Sequence, residues 1–312
     1  MTPLLSVVVP VRNGAPYLRD LFAALDAQTL APERYEVVVV DNNSDDATPA
    51  LLRLWESQAP NRRVLQATGT GPAHARNVGA AAARGEWIAF TDADTEPEPE
   101  WLETLARVAQ ANGAVALEGA VVAWPAEAVG PYTHQISNEN GGKFVTANMA
   151  YRRELFERLG GFDESFEQAF LEDSDLAFRA LDAGVEIPFV ADARVRHRVI
   201  AMSSRATLRS ARRVRWLPLF ARKHPYRYRE QLRTHVRALS PVDARVVAGV
   251  TAAALLPATR GVVRLALAAV ALDGVRVGVG RGRSTGSVLL SFALPLGQAF
   301  WWVEGQLRHG RR

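Results

Sequence analysis

An apolar run, a polar turn and a helical stretch recur in series from the start of this chain, and that order limits the folds open to it. Residues 5–10 form an apolar run ending in proline, and 16–28 then read as a helix with an apolar face at Leu18, Leu21, Phe22 and Leu25. Residues 36–41 (EVVVVD) read as a second strand, apolar without alternation and therefore covered on both faces. A polar turn, Asn42 to Asp46, leads into a helix over 47–58, and 63–67 make a third strand. The Gly-rich turn GTGP opens an Ala-rich helix over 73–83, and 86–91 make a fourth strand ending at Asp92. This spacing predicts an α/β fold, a mostly parallel sheet with helices on both faces. Ligands on such sheets bind at the carboxyl ends of the strands. The polar residues gather there: Asn13 after the first strand, Asp41 to Asp46 after the second, Asp92 and Asp94 after the fourth.

Residues 147–184 form a different unit. It holds a short helix (153–159), a Gly-Gly-Phe-Asp turn and a helix from about 171 to 183, followed by strand-like pieces at 186–190 and 194–199. From Ser203 the chain is basic and mostly helical. Apolar stretches at 246–256 and 262–272 are separated by Pro257 and Arg260, with Arg264 inside the second. Each is shorter than the ~20 residues a membrane span requires. A third stretch, 288–303, contains Pro295 and ends at Trp301 and Trp302. The expected organisation is a catalytic domain over 1–200 and a basic, mainly helical C-terminal extension over 201–312.

Charge divides along the same line. Residues 1–193 carry 14 Lys+Arg against 29 Asp+Glu, and residues 194–312 carry 23 against 4. A tail of that sign is drawn to a phosphate-rich partner, nucleic acid or an anionic membrane surface. The base-stacking aromatic pattern of a single-strand binder is missing and apolar runs interrupt the basic residues, so no nucleic acid is expected; the apolar stretches either pack as ordinary helices on the catalytic domain or, the favoured reading, lie on a membrane surface. The start, MTPLLSVVVPVRNG, has no basic region followed by a long apolar core and reads as a strand rather than a leader. The expected location is cytoplasmic, peripheral on the inner face of the plasma membrane. There are no cysteines, so a metal would be held by oxygen or imidazole.

The most informative segment is Gly85-Glu-Trp-Ile-Ala-Phe-Thr-Asp-Ala-Asp94. Two carboxylates one residue apart aim at one point only if the chain turns there, and oxygen ligands of that kind suit Mg²⁺ or Mn²⁺ carrying a diphosphate. Four segments, in order, give this motif its setting: SVVVPVRNGAPYL, VVVVDNNSDDAT, ARNVGAAAARGEWIAFTDADT and ANMAYRRELFERLGGFDESFEQAFLEDSDLAFRALDAG. Through them residues 4–200 resemble the family-2 glycosyltransferases, inverting enzymes of the GT-A (Rossmann-like) fold that use nucleotide-diphosphate sugars.

The resemblance implies a nucleotide pocket lined by Pro10, Val11 and Asn13, with Asp41, Asn42 and Ser44 around base and ribose. Many members carry an aspartate where this chain has Asn42, which leaves the base open. Arg76 and Asn77 would lie beside the nucleotide, Arg76 being suited to a phosphate by its fork of donors. Asp92 and Ala93 would line the sugar-nucleotide site, with Asp92 contacting the ribose or the metal and Asp94 the metal itself. In the acidic cluster Glu172-Asp173-Ser174-Asp175, Asp173 would be the general base and Glu172 would position the acceptor, while Asp175 reads as structural. His197 is the expected third metal ligand. His74, His134, His224, His235 and His309 have no comparable context, Trp87 and Trp101 read as core, and Trp124 could line the acceptor cleft. The implied partners are a nucleotide-diphosphate sugar, a glycan or lipid-linked acceptor and a divalent Mn²⁺ or Mg²⁺. A nucleotidyltransferase would place a Gly-rich, Arg/Lys-bearing loop after the first strand, and PVRNGAPYL is not one. A non-catalytic sugar-nucleotide binder is the other alternative, and the intact acidic pairs at 92/94 and 172/173 read against it.

Overall fold

The computed structural model of the protein describes residues 2–69, 71–111, 113–130, 132–229, 241–255, 267–276 and 285–309. The chain divides into two compact units, Met1–Ile200 and Ala201–Arg312.

The first unit is built on the strands β1 (Leu5–Val11), β2 (Tyr35–Asn42), β3 (Arg62–Ala67), β4 (Trp87–Phe90), β5 (Thr95–Pro97), β6 (Ala116–Trp124), a two-residue β7 (Thr133–His134), β8 (Met149–Arg152) and β9 (Phe189–Arg198). Eight of them form one sheet in the order β3-β2-β1-β4-β8-β6-β9-β5. β3, β2, β1 and β4 run parallel, while β8 is antiparallel to both of its neighbours. The helices are α1 (Leu18–Asp26), α2 (Thr48–Glu56), α3 (Gly71–Ala82), α4 (Trp101–Ala111), α5 (Arg153–Arg158) and α6 (Glu172–Asp182).

Every residue of β2 is buried, the outcome expected of a run covered on both faces. Val7, Val9, Val37 and Val39 pack with Leu21, Leu25, Leu52 and Trp101 on one side, and Val38 and Val40 pack with Ala75 on the other. The small residues of α3 let it lie close to the sheet. A Cβ at Gly79 would sit 2.5 Å from Val8 Cγ1 and 3.0 Å from Val40 Cγ2. That close approach sets the start of α3, with Arg76, over the carboxyl ends of the strands.

Two differences from the sequence reading concern strands. The pieces at 186–190 and 194–199 are one strand, β9, with 186–188 left outside it. The β6–β9 register shifts between Gly119 and Ala120, where Gly119 pairs with Val190 and Ala120 with Arg194. At this irregularity on β9, Ala191 and Asp192 are exposed while Ala193 is buried in the core, which breaks the apolar pattern. The segment 101–124, read from sequence only through its tryptophans, holds α4 and β6.

The second unit, taken by itself, is helical. α7 (Ser204–Ser210), capped by the Ser203 hydroxyl on the Ala206 N–H, passes through a 3₁₀ turn, Ala211–Trp216, into α8 (Leu217–Lys223) and α9 (Pro225–Arg227). α10 (Pro241–Leu255), α11 (267–276) and α12 (Thr285–His309) complete it. Val214, Trp216, Leu217, Leu219 and Phe220 are buried. The first expected apolar stretch falls in α10 and the third in α12. Pro257, Arg260, Arg264 and His235 lie outside the described residues. Among the described residues, no helix is long and apolar enough to cross a membrane.

Candidate active site

The parallel register sets Val11 beside Asp41 at the ends of β1 and β2. Asn13 follows in the left-handed region (φ 54°), which asparagine tolerates better than most side chains. A hydrogen-bonded rim results. The Asn13 N–H donates to Ser44 Oγ (2.8 Å), and Asn13 Oδ1 accepts from the Asp45 N–H (2.9 Å). The buried Asp41 carboxylate accepts from the Ser44 N–H (3.1 Å) and Gln66 Nε2 (3.2 Å). Asn13, Asp41 and Ser44 therefore come together, next to Pro10 and Val11. Asn42 turns elsewhere. Its Nδ2 donates to the Gly71 carbonyl (3.0 Å) at the start of α3, and its Oδ1 is buried without a partner.

After β4 the chain turns as the Asp-x-Asp motif requires. Thr91 Oγ1 lies 2.8 Å from Thr95 Oγ1, which donates to the Asp92 carbonyl (2.7 Å). Ala93 packs against the main core. β5 then pairs with β9, Thr95 opposite His197, and the Arg198 N–H donates to the Asp94 carbonyl (3.0 Å). This ladder brings Asp94 Oδ1 within 3.6 Å of Nε2 of the buried His197. Burial, His197 and Asp92 act together on Asp94, and the net effect raises its pKa, burial being the largest cause.

One correction follows. His134, without context in the sequence, joins this group: one ligand atom each from Asp94, His134 and His197 lies within 4.8 Å of the others. The two rings meet edge to face at 5.7 Å. Asp92 is outside the cluster, its carboxylate being held by Arg76. A carboxylate and two imidazoles converging on one point fit a divalent ion that accepts nitrogen, which favours Mn²⁺ over the harder Mg²⁺.

Arg76 is buried, and its guanidinium donates to Asp92 Oδ1 and Glu172 Oε1, each at 2.8 Å. Both arms of the fork are thus spent on carboxylates rather than offered to a phosphate. The second oxygen of Glu172 accepts from the Phe170 N–H (2.6 Å). Leu171 between them takes φ 72°, a costly conformation for a leucine that clusters at functional sites. Asp173 follows on the first turn of α6. Burial of its carboxyl group and the neighbouring Glu172 push its pKa up to about 7, against weaker downward pulls from the Ser174 and Thr146 N–H groups and Arg76. Asp175 pairs with Arg179 (2.9 Å), the structural role read for it. Asn77 is spent on the turn after α5, donating to the Phe162 carbonyl (2.9 Å) and Glu164 (2.8 Å) and accepting from the Phe162 N–H (2.9 Å). Trp87 and Trp101 are buried and Trp124 is 44% exposed at the end of β6.

Residues 6–162 match the family described as Glycosyl transferase family 2, and residues 87–272 match Glycosyl transferase family group 2. The chain belongs to glycosyl transferase family 2. Within that family it is 31% identical over 202 residues to Glycosyltransferase AglE of Haloferax volcanii, a match covering 61% of this chain and 65% of the relative. It is 33% identical over 205 residues to Succinoglycan biosynthesis protein ExoO of Rhizobium meliloti, covering 61% and 56%. The chain spans less than two thirds of the length of these curated relatives. Among solved structures, the mannosyltransferase PcManGT from Pyrobaculum calidifontis, in complex with GDP-Man and Mn²⁺, superposes with a TM-score of 0.60 at 20% identity, covering 97% of this chain and 88% of that one. At that identity the likeness is one of fold, and it is the GT-A fold of this glycosyltransferase family.

Proposed function

We propose that the protein is an inverting, metal-dependent glycosyltransferase that moves a sugar from a nucleoside diphosphate to an acceptor hydroxyl. One observation carries the reading: a single buried guanidinium, Arg76, ties the Asp-x-Asp turn to the Glu172–Asp173 pair. The ends of β1 and β2 offer Asn13, Asp41 and Ser44 to the nucleoside. Asp94, His134 and His197 would hold the metal, with Asp92 beside them. When bound, that ion offsets the charge that builds on the leaving diphosphate.

Asp173 takes the proton of the acceptor hydroxyl as its oxygen attacks the anomeric carbon from the face opposite the leaving group. A carboxyl group with a pKa near 7 suits that role, because a base works best with its pKa near the operating pH. A single displacement of this kind inverts configuration. Arg76 holds Glu172 in place through its ion pair, so that the acceptor-side carboxylates hold position relative to the metal-side turn.

The acceptor is a glycan or a lipid-linked glycan. The succinoglycan pathway in the name of one relative and the fold shared with a GDP-Man complex support a place in envelope polysaccharide or glycolipid assembly. An anionic membrane surface is the second partner, met by the basic unit, which places the protein peripherally on the inner face of the plasma membrane. Calorimetry with UDP, GDP and dTDP, each with and without Mn²⁺, tests the core of the reading. One nucleotide should bind only with metal, and Asp94→Ala should lose it. Metal-independent binding by both proteins would refute the metal site, and no binding at all would refute the transferase.

A further inference from the structure

The second unit holds a set of side chains for which the transfer reaction has no use. Arg205, Arg209 and Arg212 follow one another at four- and three-residue spacing through α7 and the start of the 3₁₀ turn, so they share one helical face. With Leu208, between them on the same face, and Trp301 of α12, they line an open cavity of about 470 Å³. The Arg212 guanidinium lies 5.1 Å from the Trp301 ring centroid and that of Arg215 lies 5.7 Å from it.

Close helix packing sets Trp301 there. A Cβ at Gly305 would sit 2.2 Å from the Arg215 carbonyl oxygen, and one at Gly297 would touch the Ala211 methyl at 3.5 Å. Residues 297, 301 and 305 fall on one face of α12, so Trp301 is the bulky member of a row that otherwise lets the backbones approach.

Acidic side chains are scarce around Arg205, Arg209 and Arg212. Residues 201–312 carry 20 Lys+Arg and 4 Asp+Glu. Of those carboxylates, Asp273 pairs with Arg245 and Glu304 with Arg308. Among the described residues, no carboxylate pairs with Arg205, Arg209 or Arg212. A planar donor fork without a carboxylate partner, next to an indole, is chemistry for a phosphate group.

Apolar surface adjoins the cavity. Leu296, Phe300, Val303 and Leu307 of α12 are 36%, 64%, 50% and 64% exposed. Their spacing puts them on one face, a stripe of the kind globular helices bury. The Phe300 ring lies 5.1 Å from that of Trp301, edge to face, so the stripe begins where the cavity ends. A soluble phosphate would satisfy the arginines and leave the stripe in water. A phospholipid surface satisfies both, with phosphates at the arginines and acyl chains at the stripe.

We propose that Arg205, Arg209, Arg212 and Trp301 form a phospholipid headgroup site, by which the second unit lies on an anionic bilayer with the Leu296–Leu307 face of α12 among the acyl chains. The inference rests on the membrane partner named above and not on the transfer chemistry. Its test therefore reads lipid binding alone. The full chain would be sedimented with phosphatidylcholine vesicles, and with vesicles in which about a third of the lipid is phosphatidylglycerol. The wild type should partition to the anionic vesicles and be released by salt. An arginine near an anionic surface is worth about fivefold in affinity, so Arg205→Gln/Arg209→Gln should weaken partitioning by at least about tenfold. Arg205→Lys/Arg209→Lys should keep most of it. Phe300→Ser, at an exposed position, should also weaken it, and it carries the test if the glutamine variant does not fold.

Wild-type protein left in the supernatant with anionic vesicles would overturn the proposal, as would equal partitioning of wild type and the glutamine variant. Calorimetric binding of inorganic pyrophosphate without vesicle binding would overturn it in favour of a soluble phosphorylated ligand. Nucleotide binding measured on the same variants should equal wild type, which separates a failure here from a failure of the transferase reading.

Discussion

Asp173 is a carboxyl group kept at the edge of ionisation, and that has consequences for both rate and stability. With its pKa pushed up to about 7, turnover should rise through about pH 7 and level off above it. Asp173→Asn should lower turnover by about 10²–10⁴-fold while leaving nucleotide affinity nearly unchanged. Turnover near wild type in that variant would remove Asp173 from the mechanism. The stability sign is opposite to that of an ordinary paired carboxylate. Between the usual value of 3.8 and the folded value near 7, the native state binds more protons than the unfolded state, so stability falls as pH rises across that window. Asp173→Asn should therefore melt a few degrees above wild type at pH 8, and the gap should close toward pH 4. A gap of the same size at both pH values would show that ionisation is not its cause. His134 carries a second prediction at this scale. Outer-shell partners of metal ligands typically cost about 10–100-fold in metal affinity when mutated, so His134→Ala should cost at least tenfold in calorimetric Mn²⁺ affinity. His74→Ala, altering a ring paired with Glu164 outside the cluster, should cost nothing measurable.

At the scale of elements, the sheet separates chemistry from stability. The carboxyl ends of the strands carry the site, whereas β2 begins with a buried Glu36 whose oxygens accept from Ser6 Oγ (2.7 Å), the Arg84 N–H (2.6 Å) and Arg63 Nη1 (3.1 Å). Removing that carboxylate strands a buried hydroxyl, an amide and an arginine. Glu36→Ala should thus destabilise by about 3 kcal/mol in urea unfolding, with kcat and KM of the folded fraction unchanged; a changed KM would mean the network reaches the site. The elements legible in sequence were those whose burial is uniform. β1, β2 and α3 announce themselves as apolar or Ala-rich runs because both faces of the parallel strands are covered. β6 does not, since Glu118 interrupts its apolar start, buried because Asn138 Nδ2 and the Gly142 and Phe144 N–H groups all donate to it. The site divides in the same way. Asp94 lies in a motif and His197 in a strand-like stretch where the family resemblance expects a ligand, so sequence brought both forward. His134 sits on a two-residue strand outside the main sheet with no motif around it, and only the fold brings it to Asp94 and His197. Arg76 was legible as a functional side chain, but its two carboxylate partners, Asp92 and Glu172, are far apart in sequence, and only the fold joins them.

For the whole molecule, the division of charge and the division of function coincide. The proposed donor rim, the proposed metal ligands and the Glu172–Asp173 pair all precede Ile200, within a unit that has its own buried sheet core. The residues that follow carry Arg205, Arg209 and Arg212 and the exposed face of α12. If the donor is bound by the first unit's groups alone, its affinity should not depend on the second. A chain ending at Ile200 should then bind the preferred nucleotide with Mn²⁺ within about threefold of the full chain, since RT is ~0.6 kcal/mol and no site contact named above is removed. It should do so with the same loss on Asp94→Ala. The truncation takes away 20 basic and 4 acidic residues, so the remaining chain is acidic at neutral pH and no longer attracted to anionic surfaces. Folded, metal-binding protein that has lost nucleotide affinity would show that the basic unit completes the donor site. Unchanged affinity would leave the second unit to the acceptor and to the surface on which it is presented.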